Sequence, residues 1–471
     1  MLRKTSFLIV FIQILTFSCL FAQKKDSVVF GIQDFYSQII QFHPIIKQAN
    51  LLSELGKQEI RLARGNFDPK IESSFLNKQF KNKEYYNQWN SQLKIPVWFG
   101  TDLKFGFERN TGEFLDPSLA VPAEGLAYAN LTVPLGQGML IDQRRAMLRE
   151  AQATNGMLEA EKIKNINKML LQAAKDYWNW YHEYFSFLIT QKGYDLAKFR
   201  FESSIEQVKQ GDLAGIDSVE AKIMFQQREI ERRQAKIDLI NASFILSNHL
   251  WNKDQAPLDL DSTLIPSEKI GLEKVISLPD LLDFAKTNHP EIQKLQFKKQ
   301  QIEIKRRLGV EMLKPVINLN YSLLSATPLF KTPYFESNYL SNNYKFSLDF
   351  SFPLFLRKER AKLQQAKIYD LENTFETQNR AREIENEIKA HYNELQNLER
   401  QIALQEEQIR NYQILVNGEQ QKFMNGESTI FYVNIRESKM LEAEQKLVSL
   451  RYKYAKTQAE LLWAAGKNGL E

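Results

Sequence analysis

Two short stretches in the second half of the chain alternate between apolar and polar residues. "VINLNYSLL", residues 316–324, places Ile, Leu and Tyr at every second position, and "YKFSLDFSF", residues 344–352, does the same with Tyr, Phe and Leu. A period of two is typical of β-strands with one apolar and one polar face. Both stretches are therefore predicted to be strands of an amphipathic sheet.

The first half contains less regular counterparts of these strands. "KIESSFLNKQF" follows Pro69, and "AYANLTV" precedes Pro134. Between them, "QLKIPVWFGTDLKFGFERN" has the pattern of an additional hairpin that turns near Gly100. The first half is therefore expected to carry either two strands or four, and the pattern alone leaves this count open.

Beyond the strands, apolar residues recur at heptad spacing. Proline is absent from roughly 142 to 210 and from 357 to 424, and helices of that length reach on the order of 100 Å. The apolar positions step by four and three, which predicts coiled-coil seams: Leu170, Ala174, Tyr177, Tyr181, Tyr184 and Leu188, and then Ile384, Ile388, His391, Leu395, Leu398 and Ile402. Glycines end both long helices, and the return helices are predicted to run to Trp251 and Trp463.

The same order of elements occurs twice along the chain. His43-Pro44 and His289-Pro290 stand at equal distances before Pro69 and Pro315, where proline interrupts a helical pattern. Each half therefore reads helix, turn, helix, strands and helical hairpin. The predicted division is a first repeat at 23–251 with strands about 70–134 and a hairpin about 142–251, a linker at 252–278, and a second repeat at 279–471 with strands about 316–353 and a hairpin about 357–466.

The N-terminus has the pattern of a secretory signal. Arg3 and Lys4 precede the apolar run "FLIVFIQILTFSCLF", and Ala22 follows it, so residues 1–22 are predicted to be removed. The alternative is lipid attachment at Cys19, the single cysteine, although Thr16 and Phe17 are unusual residues at that spacing. Cleavage after Ala22 leaves no cysteine for a disulfide or a thiolate metal site.

Composition narrows the class of protein. The chain is 43% hydrophobic and 25% charged, which is typical of a folded protein. Its net charge of +5 comes from 62 basic and 57 acidic residues, a near balance that argues against a nucleic-acid partner. After the signal, no run approaches the roughly 18 apolar residues of a membrane helix. Any membrane crossing is therefore expected to be by strands.

The candidate strands are too few for one chain to close a barrel. Outer-membrane barrels have at least about eight strands, and the sequence offers four strong candidates. Several chains are therefore expected to share one barrel. The predicted fold class is a mixed α and β membrane protein in which long coiled-coil hairpins form an α-barrel joined to an oligomeric transmembrane β-barrel, with an internal two-fold repeat.

No residue pattern indicates catalysis or a cofactor. The histidines show no ligand spacing, so neither a metal site nor an enzyme is expected. His43 and His289 occupy equivalent places in the two repeats, which favours a capping or turn role.

In these features the chain resembles the TolC family of outer-membrane efflux proteins. The resemblance rests on the paired "HP" openings, the strands ending in "VPLG" and "FPLF", and the glycine-broken hairpins. It implies a homotrimer with a 12-stranded barrel in the outer membrane and an α-barrel crossing the periplasm. It also implies a periplasmic adaptor (membrane fusion) protein, an inner-membrane transporter and outer-membrane lipid as partners. The extra hairpin and "FPLFLRKERAK", which lacks a glycine pair, depart from the family pattern.

The function implied by this resemblance is a passive duct for a tripartite efflux or type I secretion system. Its cargo, whether drug, metal or secreted protein, is not encoded in these patterns, and neither is the identity of the pump. The alternative is a periplasmic coiled-coil scaffold or adaptor without its own pore. Such a protein would not need the two alternating strands.

Two sets of site residues follow from the resemblance. The adaptor contact is expected at the hairpin tips: Gly211, Asp212 and Leu213, and Gly426, Glu427 and Ser428. Where the family carries gate aspartates, this chain has Tyr432 and Ile435, so the candidate gate consists of Asp217, Glu220 and Tyr432. The alternatives are that the glycines only cap helices and that the acids only suit a helix N-terminus.

Overall fold

The computed structural model describes residues 28–211, 213–268, 277–326 and 342–467. The predicted signal with Cys19, the tip residue Asp212 and part of the predicted linker lie outside these ranges. The described chain is mostly helical and contains two sheets, so the predicted mixture of α and β structure is confirmed. Among the described residues, none of the helices is both long enough and apolar enough to cross a membrane.

The elements follow one another in the order strands, helical hairpin, strands, helical hairpin, each time after a pair of short helices. They are β1 Val28–Phe30, α1 Ile32–Phe42, α2 Pro44–Arg64, β2 Lys70–Phe80, β3 Lys83–Pro96, β4 Asp102–Thr111, β5 Leu126–Pro134, α3 Gln143–Gln210, α4 Gly215–Ser247, β6 Leu264–Pro266, α5 Leu278–Asn288, α6 Pro290–Glu311, β7 Val316–Ser325, β8 Tyr344–Ser351, α7 Arg357–Met424 and α8 Ile430–Ala464. The first return helix, α4, ends at Ser247 rather than at Trp251, because the chain turns through Asn248.

The chain forms two compact units. The helical unit comprises Met1–Lys47, Ile166–Asp283 and Asn386–Glu471, and the sheet unit comprises Gln48–Asn165 and Phe284–Glu385. Each unit contains residues from both predicted repeats, because the long helices α3 and α7 each begin in the sheet unit and end in the helical unit.

The main sheet belongs to the sheet unit and has the strand order β2-β3-β4-β5-β7-β8. Every neighbouring pair is antiparallel. The first half contributes four of the six strands, and the predicted extra hairpin is the β3–β4 pair, which turns at Gly100 with φ +89°. A second hairpin joins β2 to β3 through Lys81 and Asn82, whose positive φ angles of 51° and 57° suit a two-residue turn that follows the twist of the strands.

The core of the helical unit lies under the short helix α1. Phe35 and Ile39 are fully buried there against Tyr177, Trp180 and Leu246. The Tyr177 hydroxyl donates a hydrogen bond to the Phe30 carbonyl at 2.7 Å, which ties α3 to the start of the described chain.

The predicted seams are buried over most of their length. Leu170, Ala174, Tyr177 and Tyr181 on α3 and Ile384, Ile388, Leu395, Leu398 and Ile402 on α7 are all buried. Leu188, in contrast, is 43% exposed, so the seam prediction is wrong at that residue. An α-helix drifts by about 20° per heptad relative to a strict seven-residue repeat, which turns the later positions away from the buried face.

Helix α4 buries small residues and exposes large ones. Ala221, Ala235 and Ala242 are buried at multiples of seven residues. The opposite face carries a heptad row of large apolar side chains that are between 53% and 74% exposed, namely Ile216, Ile223, Ile230, Ile237 and Phe244. Among the described residues, this row has the spacing of a coiled-coil seam, but no helix covers it.

The two His-Pro turns cap helices in the same way. His43 precedes Pro44 of α2, and its Nδ1 accepts a hydrogen bond from the Ile45 amide at 3.2 Å. His289 precedes Pro290 of α6, and its Nδ1 accepts from the Glu291 amide at 3.2 Å. Each imidazole thus satisfies an amide that the first helical turn leaves free. The predicted capping role of both histidines is confirmed.

We expect the cap at His289 to make stability pH-dependent. Burial, helped by the positive charges of Arg380 and Lys164 and opposed by the Glu291 carboxylate, lowers the pKa of His289 to about 4. As the pH falls from about 6.5 to about 4, the unfolded chain binds a proton at His289 that the folded chain does not, so the free energy of unfolding should fall by roughly 3 kcal/mol.

Thermal unfolding measured at several pH values checks this, with the His289→Asn variant as control. Asparagine caps a helix without titrating, so the variant should keep its stability at neutral pH and lose this part of the acid sensitivity. Equal acid sensitivity in both proteins would contradict the assignment.

Candidate functional site

The six-stranded sheet has one apolar and one polar face. Residues directly opposite each other across neighbouring strands lie on the same face. One row across all six strands is apolar: Ile71, Leu93, Phe105, Ala129, Leu323 and Tyr344. The next row is polar: Lys70, Lys94, Lys104, Asn130, Ser322 and Lys345. The sheet is therefore amphipathic across its whole width.

In the part of the chain that the structure describes, the apolar face is uncovered. Ile71 is 84% exposed, Phe346 56% and Phe350 69%, although such side chains are normally buried in a water-soluble protein. Arg109, opposite Trp89, interrupts this face close to the end of β4. A contiguous apolar surface that spans six strands is typical of one that contacts a membrane or another protein.

Hydrogen-bonded side chains connect the strands on the polar face. The Tyr128 hydroxyl donates to Asn90 Oδ1 at 2.9 Å. Thr132 Oγ1 donates to Asn320 Oδ1 at 2.7 Å, and Asn320 Nδ2 donates in turn to Asp349 Oδ2 at 2.6 Å. These bonds hold the polar side chains in a continuous layer that can face water.

The polar face carries charges of both signs. Its basic residues include Lys70, Lys94, Lys104 and Lys345, and its acidic residues include Glu72, Asp102, Glu108 and Asp349. Lys94 Nζ lies 3.4 Å from a carboxylate oxygen of Asp102. Interspersed charges of this kind produce no strong field of one sign.

An ion-pair cluster fixes the start of the long helix α3 against the sheet, which sequence reasoning missed. Arg144 bridges Asp102 at 2.7 Å and Asp142 at 3.1 Å. Arg145 also contacts Asp142, at 3.0 Å. All of these residues lie in the sheet unit. The sequence "DQRR" at the start of α3 could have indicated an ion-pair cluster. Its partner Asp102 could not be predicted, because the pairing of the strands determines where that residue lies.

The predicted tips lie at the turns of the two helical hairpins. Gly211 and Gly426 have φ of +84° and +76°, as the capping alternative requires. Leu213 is half-buried and Glu427 is exposed, while the Ser428 hydroxyl donates to Glu419 at 2.6 Å. Since a Cβ added at either glycine would meet open space, the turns leave room for a partner.

The candidate gate residues lie just after these turns. Asp217 and Glu220 are half-buried in the first two turns of α4. Tyr432, in the first turn of α8, is 51% exposed and packs edge-on against Phe431.

Near Tyr432, a buried polar cluster that the sequence did not predict joins three long helices. Arg200 on α3 donates to Asn434 at 2.9 Å and pairs with the Glu437 carboxylate, both on α8. Gln420 on α7 donates to the same Glu437 at 3.0 Å. Glu437 is buried, so the cluster links the two hairpins close to their tips.

In the described part of the chain, no three His, Cys, Asp or Glu residues are grouped so that they could hold a metal ion.

Comparison with known proteins identifies a family model and a fold. The model described as "Outer membrane efflux protein" matches residues 281–467. No curated protein matches the sequence.

Several solved structures of outer membrane channels are similar to the chain. The open state of the MtrE outer membrane channel of Neisseria gonorrhoeae has a TM-score of 0.66 at 15% identity, covering 93% of this chain and 89% of that one. The outer membrane protein VceC of Vibrio cholerae has a TM-score of 0.64 at 14% identity, covering 93% and 96%. The CmeC channel of Campylobacter jejuni has a TM-score of 0.62 at 12% identity, covering 92% and 85%. These likenesses show a shared fold.

Proposed function

We propose that the chain, whose residues 281–467 match the model of the outer membrane efflux protein family, belongs to that family and is a homotrimeric channel. It passively conducts substrates for a tripartite efflux or type I secretion system. It is an outer-membrane protein with a large periplasmic part. The inner-membrane transporter supplies the energy, and a periplasmic adaptor connects the two.

The amphipathic sheet is the observation that supports this proposal most directly. Its strands are 8 to 14 residues long, close to the 9–11 residues with which a tilted strand spans a bilayer. In a transmembrane β-barrel the uncovered apolar face contacts lipid and the hydrogen-bonded polar face lines the water-filled lumen.

The exposed apolar row on α4 supports the assembly of several copies. Large apolar residues at heptad spacing pack into a neighbouring helix in a coiled coil. In the proposed trimer that neighbour is a helix of the next copy, and the helical hairpins of three copies form an α-barrel.

The competing function is a periplasmic coiled-coil scaffold or adaptor without its own pore. The long helices would serve either function, but the uncovered apolar face of the sheet has no purpose in a water-soluble scaffold. Mass measurement of the detergent-solubilised protein, followed by recording in planar bilayers, tests the choice. A trimer with discrete conductance steps is expected. A stable monomer, or a trimer without conductance, would exclude the channel.

We expect the adaptor to bind at the hairpin tips, on the resemblance of their sequences to the family. Leu213→Asp places a charge in a half-buried apolar position beside Gly211 and should abolish export of a reporter substrate without lowering the amount of trimer. Glu442→Gln, at an exposed position of α8 away from the tips, is a control that should leave export unchanged. Unchanged export in the Leu213 variant would leave the glycines with their capping role alone.

We propose that Asp217, Glu220 and Tyr432 form the periplasmic gate. In a trimer the two acids supply six carboxylates, which favour cations if they line the pore. Asp217→Asn with Glu220→Gln should reduce cation preference and block by divalent ions in single-channel recordings. Tyr432→Ala should raise conductance, because the exposed ring narrows the aperture by its bulk. Unchanged selectivity in the double variant would leave the acids as helix N-terminal residues.

A further inference from the structure

The edges of the six-stranded sheet are open. β2 and β8 are its outer strands, and in the part of the chain that the structure describes each of them pairs with one neighbour. Their outer edges therefore present backbone N–H and C=O groups to the surroundings. Such groups are costly in hydrocarbon, where strands occur only in closed barrels.

We propose that the outer edge of β2 pairs with the outer edge of β8 in the next copy, so that all six strands of each chain enter the barrel. With the three copies of the proposed function, on which this inference rests, six strands per chain give an 18-stranded barrel. The family resemblance implied 12. The number 18 is even and lies within the range of outer-membrane barrels.

Strand direction and face both allow this pairing. Because all five neighbouring pairs are antiparallel, β2 and β8 run in opposite directions and meet as an antiparallel pair between copies. Ile71 on β2 and Tyr344 on β8 end the same apolar row, and Lys70 and Lys345 end the same polar row. The apolar faces of neighbouring copies therefore lie on the same side of the shared sheet.

The register within one chain indicates how the edges meet. A path across the strands leads from Lys70, the first residue of β2, to Lys345 on β8. If the strand ends next to the helices, Lys70 and Ser351, are level, Lys345 lies opposite Leu76 of the next copy, and Ser347 opposite Ser74. Following the paired residues once across the six strands of one chain therefore leads from position 70 on its own β2 to position 76 on the β2 of the next copy. A shift of one residue per strand corresponds to a tilt of about 36°, which is usual for outer-membrane barrels.

The extra strands widen the pore. At a strand spacing of about 4.8 Å and this tilt, 18 strands enclose a backbone diameter of roughly 34 Å, compared with roughly 23 Å for 12 strands. The sheet therefore encloses about twice the cross-section that the family resemblance implied.

Paired cysteines test the proposal in the full-length protein carrying Cys19→Ser. Ser74→Cys and Ser347→Cys lie on the polar face, and within one chain five strand spacings, about 24 Å, separate them. A disulfide requires Cα atoms within about 7 Å, so any bond between them must join two copies. We expect a covalent trimer on non-reducing gels.

The matched pair is Lys104→Cys with Asp349→Cys, which would meet between copies if β2 and β3 stayed outside the barrel and 12 strands closed it. Trimers linked by this pair, or trimers linked by neither pair, would overturn the six-strand contribution and leave the proposed channel intact. A monomer by mass with no crosslink would instead contradict the proposed function itself.

Discussion

Replacing Leu348 with arginine is expected to abolish assembly in the outer membrane. Leu348 lies in the middle of β8 on the apolar face and is 56% exposed. An arginine that faces lipid near the bilayer midplane costs about 2–4 kcal/mol, and a trimer would bear this cost three times. Heat-modifiable trimers in the outer-membrane fraction, compared on gels before and after boiling, measure the effect.

The adjacent residue provides the control. Ser347 points to the polar face, where it pairs with Asn320, and arginine at that position would enter a water-filled lumen. Ser347→Arg should therefore assemble normally and change only conductance or ion preference. Equal amounts of trimer in the Leu348 and Ser347 variants would show that the apolar face does not contact lipid.

The second large effect is expected at Glu437. Removing the carboxylate by Glu437→Ala leaves the Arg200 guanidinium, half-buried beside Asn434, without its charge partner. Breaking a buried ion pair in this way costs about 3–5 kcal/mol. The helical signal in circular dichroism should melt at a lower temperature, and limited proteolysis should cut the hairpins near their tips sooner.

Two further variants distinguish the loss of the charge partner from the loss of packing as the cause of the lower stability. Glu442→Ala removes an exposed carboxylate that pairs with Lys439 at 2.8 Å and should have little effect on stability, because water screens an exposed ion pair. Replacing Arg200 and Glu437 together by leucine should recover much of the stability, because no buried charge is left alone. If the double variant is as unstable as Glu437→Ala, the loss comes from packing rather than from the unpaired arginine.

Alternation predicted the strands where one face is purely apolar. β8 follows the pattern residue by residue, and β7 follows it from Ile317 to Leu323, since Ile, Leu, Tyr and Phe on one face oppose Asn, Ser, Lys and Asp on the other. The hairpin at Gly100 was also predictable, because glycine favours the positive φ that the turn needs. The turn at Lys81 and Asn82 has no glycine, so its position between two strands of weak alternation was not evident.

The site residues were predictable only where local backbone geometry determines them. Gly211, Gly426, His43 and His289 could be found because turns and caps depend on a few neighbouring residues. The Arg200–Glu437 pair joins residues 237 positions apart, and heptad periodicity does not indicate which polar residues of different helices meet. Similarly, Thr132 and Asn320 contribute to the polar layer because β5 and β7 lie side by side. No local sequence pattern predicts that these two strands are neighbours.

The open edges of the sheet also have a consequence for the life of a newly exported copy. Before assembly, β2 and β8 can template the addition of any extended segment, including strands of unrelated chains, which is a route to aggregation. Lysine on edge strands hinders such pairing, and Lys70, Lys78 and Lys345 occupy these edges. Even so, an unassembled copy should depend on a periplasmic chaperone that shields apolar strands, and depletion of such chaperones should lead to degradation of this protein before that of water-soluble periplasmic proteins.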